Sequence, residues 1–372
     1  MSRWLRFFRS AVVDVLLLIS VFLAAGHSQK GIAMTKSVIS GVGPAVLDQR
    51  VKVEPSVFAE GRKVDTEIQD SLGGGCLNSL RAAGQLGMDC RPVVFVGNDP
   101  ARRHLGLLLK DEFPQALALP MLKQTRRSVL CGDTCATVRP PMIRHTLPET
   151  VREQLRHADL VMMAPLTGRD TAVVADVLKQ AKCSILLLSD SQLAAAETAA
   201  QLSRLATWTI INRRELSIWS GCESLEGGLL VLQGLGVKNL LVTSADGVTI
   251  LEGDGTGFQA SLAVEVTNGT VGAGDVFAGT FAAMLADRQS VDEAVRLAQT
   301  AAAMHLSGML ALHSSEQLQE VAEEIPARNV ELRTLPFRQR NRRQTWSPAT
   351  VRNVIAATLI LGTMLNLSVR FS

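Results

Sequence analysis

Val271-Gly272-Ala273-Gly274-Asp275, followed at once by the apolar, helix-like stretch Val276 to Leu285, is the segment on which the reading of this chain turns. Small residues let backbone N–H groups crowd around an anion at a helix start, where unpaired amides and the helix dipole both favour negative charge. Asp275 then places a carboxylate beside the anion. A carboxylate there repels a phosphate unless it has a use, and the natural one is to accept the proton of an attacking hydroxyl during phosphoryl transfer. The same Gly-Ala-Gly turn also serves as an ordinary structural joint, so the rest of the chain must decide.

Two upstream segments bear on that choice. Leu72-Gly73-Gly74-Gly75-Cys76-Leu77-Asn78 leads into a helical pattern that runs through Leu86 and stops at Gly87, a residue suited to a helix C-terminus. Glycines allow a ligand to lie against the backbone, and Asn78 in the first turn offers a donor and an acceptor to a polyol; a flexible loop is the alternative. Asn212-Arg213-Arg214-Glu215 follows the apolar run Trp208 to Ile211, a strand-to-helix junction carrying a carboxylate. Glu215 there either orders Mg²⁺ and its waters beside a nucleotide's phosphates or is a solvated helix-start glutamate.

Taken in order, these segments resemble the ribokinase-like (PfkB) family of carbohydrate and nucleoside kinases, over roughly Met34 to Ser307. The family's opening strand and short substrate loop ending in Asp are matched by Ser37 to Pro44 and Asp48, and its Gly-Gly-x-x-x-Asn signature by Gly73, Gly74 and Asn78. Its Asn-x-x-Glu element is matched by Asn212 and Glu215, and its Asp-Thr-x-Gly-Ala-Gly-Asp signature by Thr270, Gly272, Ala273, Gly274 and Asp275. The resemblance implies Asp275 as general base and the amides of Gly272, Ala273 and Gly274 as the anion hole. It implies Asp48, Gly73, Gly74 and Asn78 as substrate-binding residues. Asn212, Thr243, Gly247 and Thr270 would then contact ATP, and Glu215 would organise Mg²⁺.

No Gly-Lys-Ser/Thr phosphate loop is present, which fits this family and argues against a P-loop enzyme. Two departures are visible. Gly269 stands where the family's signature begins with Asp, which implies weak or absent potassium activation. The loop after Thr243 lacks the family's Gly and is one residue short, so Ala245 and its neighbours would approach ATP less closely.

The expected fold class is α/β, ribokinase-like, with a mostly parallel central sheet, helices on both faces and a small β lid. Pro92 to Val96, Leu160 to Ala164, Ser184 to Leu188, Thr209 to Ile211 and Leu240 to Thr243 read as buried strands. Ala101 to Phe113, Asp170 to Lys182, Leu225 to Leu235 and Val291 to Leu306 read as helices. Such alternation implies parallel strands with ligands at their carboxyl ends. Val51 to Glu67 and Arg127 to Arg144 break the rhythm and are expected to supply the lid strands; in the family a lid sometimes pairs with another subunit's, so a homodimer is open. Arg62, Arg127 and Arg144 are the expected specificity residues of that lid, facing either an anionic substrate group or solvent.

A chain of 372 residues with 47% hydrophobic residues can bury one large domain. A net charge of +3 and an aromatic share of 4% supply neither a broad basic surface nor stacking platforms, so nucleic acid is not an expected partner. Six cysteines without a Cys-x-x-Cys pair read as reduced thiols of a cytoplasmic catalytic domain rather than a metal centre. Cys76 is expected to be open to alkylation, and His305 to be packed or satisfied rather than catalytic.

The ends fall outside the family pattern. Residues 1–33 form an apolar extension with Arg3, Arg6 and Arg9 before it, resembling a signal or anchor, or lying upstream of a true start at Met34. Residues 34–328 are the expected kinase domain, 329–352 a basic linker containing Arg338 to Arg343, and 353–369 a short apolar run suited to a membrane anchor. The expected function is ATP-dependent phosphorylation of a hydroxyl on a sugar or nucleoside. The rival is a membrane-tethered binding or regulatory protein that keeps the fold without catalysis.

Overall fold

The computed structural model describes residues 36–53, 65–131, 134–166, 170–253, 257–260, 272–308 and 315–324. In chain order the strands are β1 Val38–Pro44, β2 Val46–Val51, β3 Ile68–Gly73, β4 Asp89–Cys90, β5 Val93–Val96, β6 Leu117–Pro120, β7 Arg126–Cys131 and β8 Thr134–Val138. They continue with β9 Leu160–Met163, β10 Ser184–Leu187, β11 Trp208–Asn212, β12 Leu240–Ser244, β13 Gly247–Leu251 and β14 Gly257–Ala260. The helices are α1 Gly75–Gln85, α2 Pro100–Glu112, α3 Glu149–His157, α4 Thr171–Gln180, α5 Asp190–Leu193 and α6 Ala196–Leu205. After them come α7 Arg213–Ser220, α8 Leu225–Gly234, α9 Ala273–Ala286, α10 Val291–Leu306 and α11 Ser315–Glu324.

The central sheet runs β14-β13-β12-β11-β10-β9-β1-β5-β6, with the short β4 also on β1. Its pairs are parallel except β12 with β13 and β13 with β14. Strands covered on both faces need apolar residues at every position, and period-two alternation sends them to opposite layers. Ile39, Val94, Val96, Leu160 and Met162 enter one core with α1, α9 and α10. Val42, Val93, Phe95, Val161 and Met163 enter the other with α3, α4 and α6. From β1 the chain order proceeds outward to β5 and β6 on one side and to β9, β10, β11 and β12 on the other. The resulting switch point opens a crevice at the strands' carboxyl ends.

Close packing of α1 on α9 sets the depth of that crevice. A Cβ on Gly279 would lie 2.0 Å from the Ser79 carbonyl oxygen, so only glycine lets the two backbones meet. Asp275 is one turn before Gly279 on the same helix face, and Asn78 immediately precedes Ser79.

The lid is the second sheet, in the order β3-β2-β7-β8. Its β2–β7 pair is parallel and the other two are antiparallel. The described strands of the first lid segment are 46–51 and 68–73, at the two ends of the expected 51–67 stretch, whose residues 54–64 lie outside the described residues. Asp48 is therefore inside a strand and does not end a loop. Lid strands are polar toward the cavity, which hides their period, while Leu47 and Leu72 are buried on the opposite side.

Among the described residues no helix is long and apolar enough to cross a membrane. The apolar runs 11–26 and 353–369, the basic strip 338–343, Met34, Arg62, Gly269 and Thr270 all lie outside the described residues.

Candidate active site

The N-cap of helix α9 is Gly272, whose φ of 92° is a left-handed conformation that a side chain would strain, and among the described residues no side chain caps the first turn. The first-turn amides of Gly272, Ala273 and Gly274 are thus the donors of an uncapped helix start. A Cβ on Gly274 would meet nothing within 4 Å, so the protein itself leaves open space there.

Asp275 stands at this helix start. Asn78 Nδ2 donates to its Oδ2 at 2.8 Å. Arg81 donates to Asn78 Oδ1 and to the Leu72 carbonyl, and pairs with Glu112, which fixes the way the Asn78 amide faces. Burial pushes the Asp275 carboxyl above its usual range; the Asn78 hydrogen bond, Arg81 and His305 pull it back, and Asp48 pushes with burial. The group is poised as a proton acceptor that is less acidic than a solvated aspartate.

Asp48 reaches the same cavity from β2. Its carboxyl is also raised by burial, against a Ser128 hydrogen bond and the Arg81 and Arg50 charges. Gly73 is needed to admit it: a Cβ there would lie 1.8 Å from Asp48 Oδ2. Gly74 turns the chain with φ 108°, and a Cβ on it would meet the Pro44 carbonyl oxygen at 2.7 Å.

Asn212 and Glu215 form a reciprocal capping box at the start of α7. Asn212 N donates to Glu215 Oε2 at 2.7 Å and Glu215 N to Asn212 Oδ1 at 2.9 Å. One oxygen of each side-chain group is thereby committed to the cap. Burial, with Asp190 adding to it, raises the Glu215 carboxyl, while the Asn212 amide and Arg214 lower it. Arg214 pairs with Asp190 at 2.9 Å.

These groups meet in a cavity of about 560 Å³ lined by Asp48, Gly74, Asn212, Glu215, Thr243, Gly274 and Asp275. Adjoining it is an apolar cleft of about 340 Å³, where Val248, Phe277, Ala302 and Leu306 face Asn212, Thr243 and Gly247. The cleft suits a flat base and the polar groups at its mouth suit a ribose and phosphates. The expected loop after Thr243 is a tight hairpin turn, with Ser244 paired to Gly247, whose φ is 126°. Asn78 and Gly272 line a third cavity, with Arg81 and His305.

Several expectations need correction. Cys76 is 1% exposed, and burial, followed by Asp275 and Cys90, lifts its thiol far above the usual range; it packs beneath the site and is closed to alkylation. His305 is exposed, which removes the packed alternative and leaves the satisfied one, and a Cβ on Gly272 would approach its Nε2 to 3.3 Å. Arg127 and Arg144 are exposed and line none of these cavities, in keeping with the solvent-facing alternative of the sequence reading. Arg126 and Arg139, which the sequence reading missed, line the central cavity. The six cysteines are free, and among the described residues no cluster of three His, Cys, Asp or Glu forms a metal centre.

No curated protein matches the chain. Several solved structures share its fold. The ribokinase of Arabidopsis thaliana complexed with ribose and ATP aligns with a TM-score of 0.62 and 20% identity, over 78% of this chain and 99% of that one. Thermotoga maritima ribokinase aligns at 0.63 and 20%, over 77% and 99%, and Sinorhizobium meliloti adenosine kinase at 0.62 and 17%, over 77% and 100%. Identities this low establish the fold. Residues 42–318, most of the chain, match the family model itself. With the glycine-bounded helix start, its half-buried carboxylate and the flanking cleft in place, the chain belongs to the pfkB family of carbohydrate kinases.

Proposed function

We propose that this kinase transfers the terminal phosphoryl group of ATP to an alcohol group of a sugar or nucleoside. The observation that carries the reading is Asp275: a half-buried carboxylate at a helix N-terminus that no side chain caps among the described residues, in one cavity with Asp48 and Glu215. In this reading the acceptor hydroxyl lies between Asp48 and Asp275, and its proton passes to Asp275 as oxygen attacks phosphorus. The amides of Gly272, Ala273 and Gly274 take up charge on the transferring group. Thr243, Gly247 and Asn212 border the nucleotide, whose base occupies the apolar cleft. Thr270 keeps its sequence-based nucleotide role as a proposal.

Mg²⁺ fits the oxygen donors of the site but not as a fully caged ion. Glu215 Oε2 is occupied by the Asn212 amide, leaving one oxygen to act on the ion directly or through water. The ion would neutralise phosphate charge when bound. Because glutamine also completes a capping box, Glu215→Gln is expected to leave Tm within about 1 °C of wild type. Its half-saturating Mg²⁺ concentration should rise roughly tenfold, about 1.4 kcal/mol; an unchanged Mg²⁺ titration would remove Glu215 from this role.

The raised pKa of Asp275 gives a pH signature. A general base works when deprotonated, so kcat/KM should fall as pH drops through its pKa, and that acidic limb should lie above the roughly 3.9 of an unperturbed aspartate. A pH–rate profile flat down to the ordinary carboxylate range would contradict the assignment. Catalysis itself is tested by substrate-stimulated ADP formation; its absence would favour the non-catalytic binding protein.

Three statements remain proposals from sequence. They are the kinase domain at 34–328, an anchor at 353–369 and a homodimer through the lid, whose Ile68, Val129 and Val138 are exposed. Membrane fractionation and sedimentation analysis of the full chain test the last two.

A further inference from the structure

The lid brings a second chemistry to the central cavity. β7 faces it with Arg126 and Ser128, β8 with Thr137, and Arg139 follows directly after β8. Ser128 opposes Thr137 in the antiparallel pair and their hydroxyls are 2.9 Å apart. The ladder ends at Arg127 opposite Val138, and just beyond it the charge of Arg139 acts on Arg126. Two like charges at the end of a ladder are unfavourable without a counter-charge.

Arg126 is the costlier of the two. It is only 8% exposed, and its Nε is buried with no hydrogen-bond partner among the described residues. Burial, with Arg139 adding to it, pulls its pKa down to about 10, and Asp170 opposes that fall. Arg126 stays cationic at neutral pH. Asp170 is buried, 4.0 Å from His145, and its charge offsets part of that of Arg126. Of the other charged groups in the cavity, Arg214 pairs with Asp190, and the carboxylates Asp48, Glu215 and Asp275 are engaged by Ser128, Asn212 and Asn78. A buried guanidinium beside a second cation is a cost that a bound anion lowers, and its planar fork matches carboxylate and phosphate oxygens.

We propose that Arg126 and Arg139 form an anion subsite in the lid, and that the acceptor is an anionic sugar whose carboxylate or phosphate lies there while a hydroxyl faces Asp275. The phosphorylation of that hydroxyl rests on the kinase reading above; the binding of the anion does not.

Calorimetric titration of the full chain, without ATP, separates the two. The probes are neutral fructose and ribose, the carboxylates gluconate and 2-ketogluconate, and the phosphates fructose 6-phosphate and ribose 5-phosphate. At least one anionic class should bind ten-fold or more tighter than the neutral sugars, and which class does so distinguishes carboxylate from phosphate. Arg126→Met and Arg139→Gln should each weaken that binding by roughly 10- to 100-fold, as expected for a charge-assisted hydrogen bond. Because Arg126 is buried, the exposed Arg139 variant keeps the test decisive if Arg126→Met does not fold. Neutral sugars binding as tightly as the anionic ones, no anionic probe binding, or anion affinity within threefold of wild type in Arg139→Gln would each overturn the subsite. Anion binding lost in the variants but never followed by ADP formation with MgATP would leave the subsite standing and refute the kinase reading. Turnover of a neutral sugar with no anionic preference would do the reverse.

Discussion

Asp275→Asn is expected to lower kcat by about 10²- to 10⁴-fold, the usual contribution of a positioned general base, while substrate and ATP affinities stay within a few-fold of wild type. The exchange is nearly isosteric, and the hydrogen bond from Asn78 Nδ2, 2.8 Å long in the native site, can be kept through the new amide oxygen. Stability should move the other way. Burial raises the folded-state pKa of Asp275, so the ionised form is the costly one. The group's favourable contribution is full below its unfolded pKa and is lost as pH rises through the folded value. At neutral pH the uncharged variant should therefore melt at the wild-type temperature or above it. Steady-state kinetics beside a thermal melt reads both; unchanged kcat would remove Asp275 from the chemistry, and a large drop in Tm would reduce the kinetic loss to misfolding.

Gly279→Ala should damage both the fold and the site, although alanine is the better helix former. The propensity gain is about 1 kcal/mol. Against it stands a Cβ placed 2.0 Å from the Ser79 carbonyl oxygen, a backbone atom that moves only if α1 and α9 separate. Overpacking of this kind costs about 1–3 kcal/mol, and a contact as close as 2.0 Å to a backbone atom belongs at the upper end, so the net expectation is a loss of up to about 2 kcal/mol and a lower Tm. Asn78 and Asp275 sit on the separated helices, so activity should fall further than stability alone explains. Gly106→Ala is the control: on α2 a Cβ meets nothing within 4 Å, and this variant should gain a little stability. Equal behaviour of the two variants in a melt would contradict the close-packing explanation.

The sheet and its helices were largely legible in the sequence because doubly covered strands are continuous apolar runs, and those runs are where the strands lie. Thr270, Gly269 and both terminal segments fall outside the described residues. Gly272 to Asp275 announced a helix start because the left-handed residue, the small residues and the apolar helix adjoin one another in the chain. Asn212 and Glu215 carry the Asn-x-x-Glu spacing of a capping box, and the local pattern does not reveal which oxygens the cap consumes. The lid was the least legible part. A one-residue change of phase in a strand exchanges its faces, and in β7 that separates Arg127, which is exposed, from Arg126, which lines the cavity. Cys76 shows a related limit: its glycine neighbours suggest an accessible loop, but helix α1 turns the thiol into the core. Gly73 depends on Asp48 folding back against it from another strand, a contact no local pattern contains.

The most direct test of the central claim is Mg²⁺-dependent ADP formation by the full chain, measured across neutral sugars, sugar acids, sugar phosphates and nucleosides beside the Asp275→Asn variant. Stimulation by at least one acceptor, lost at least 100-fold in the variant, is the predicted result. A folded wild-type protein that binds ATP yet forms ADP no faster with any acceptor than without, or a variant as active as wild type, would contradict the assignment of Asp275 as the base of an alcohol kinase.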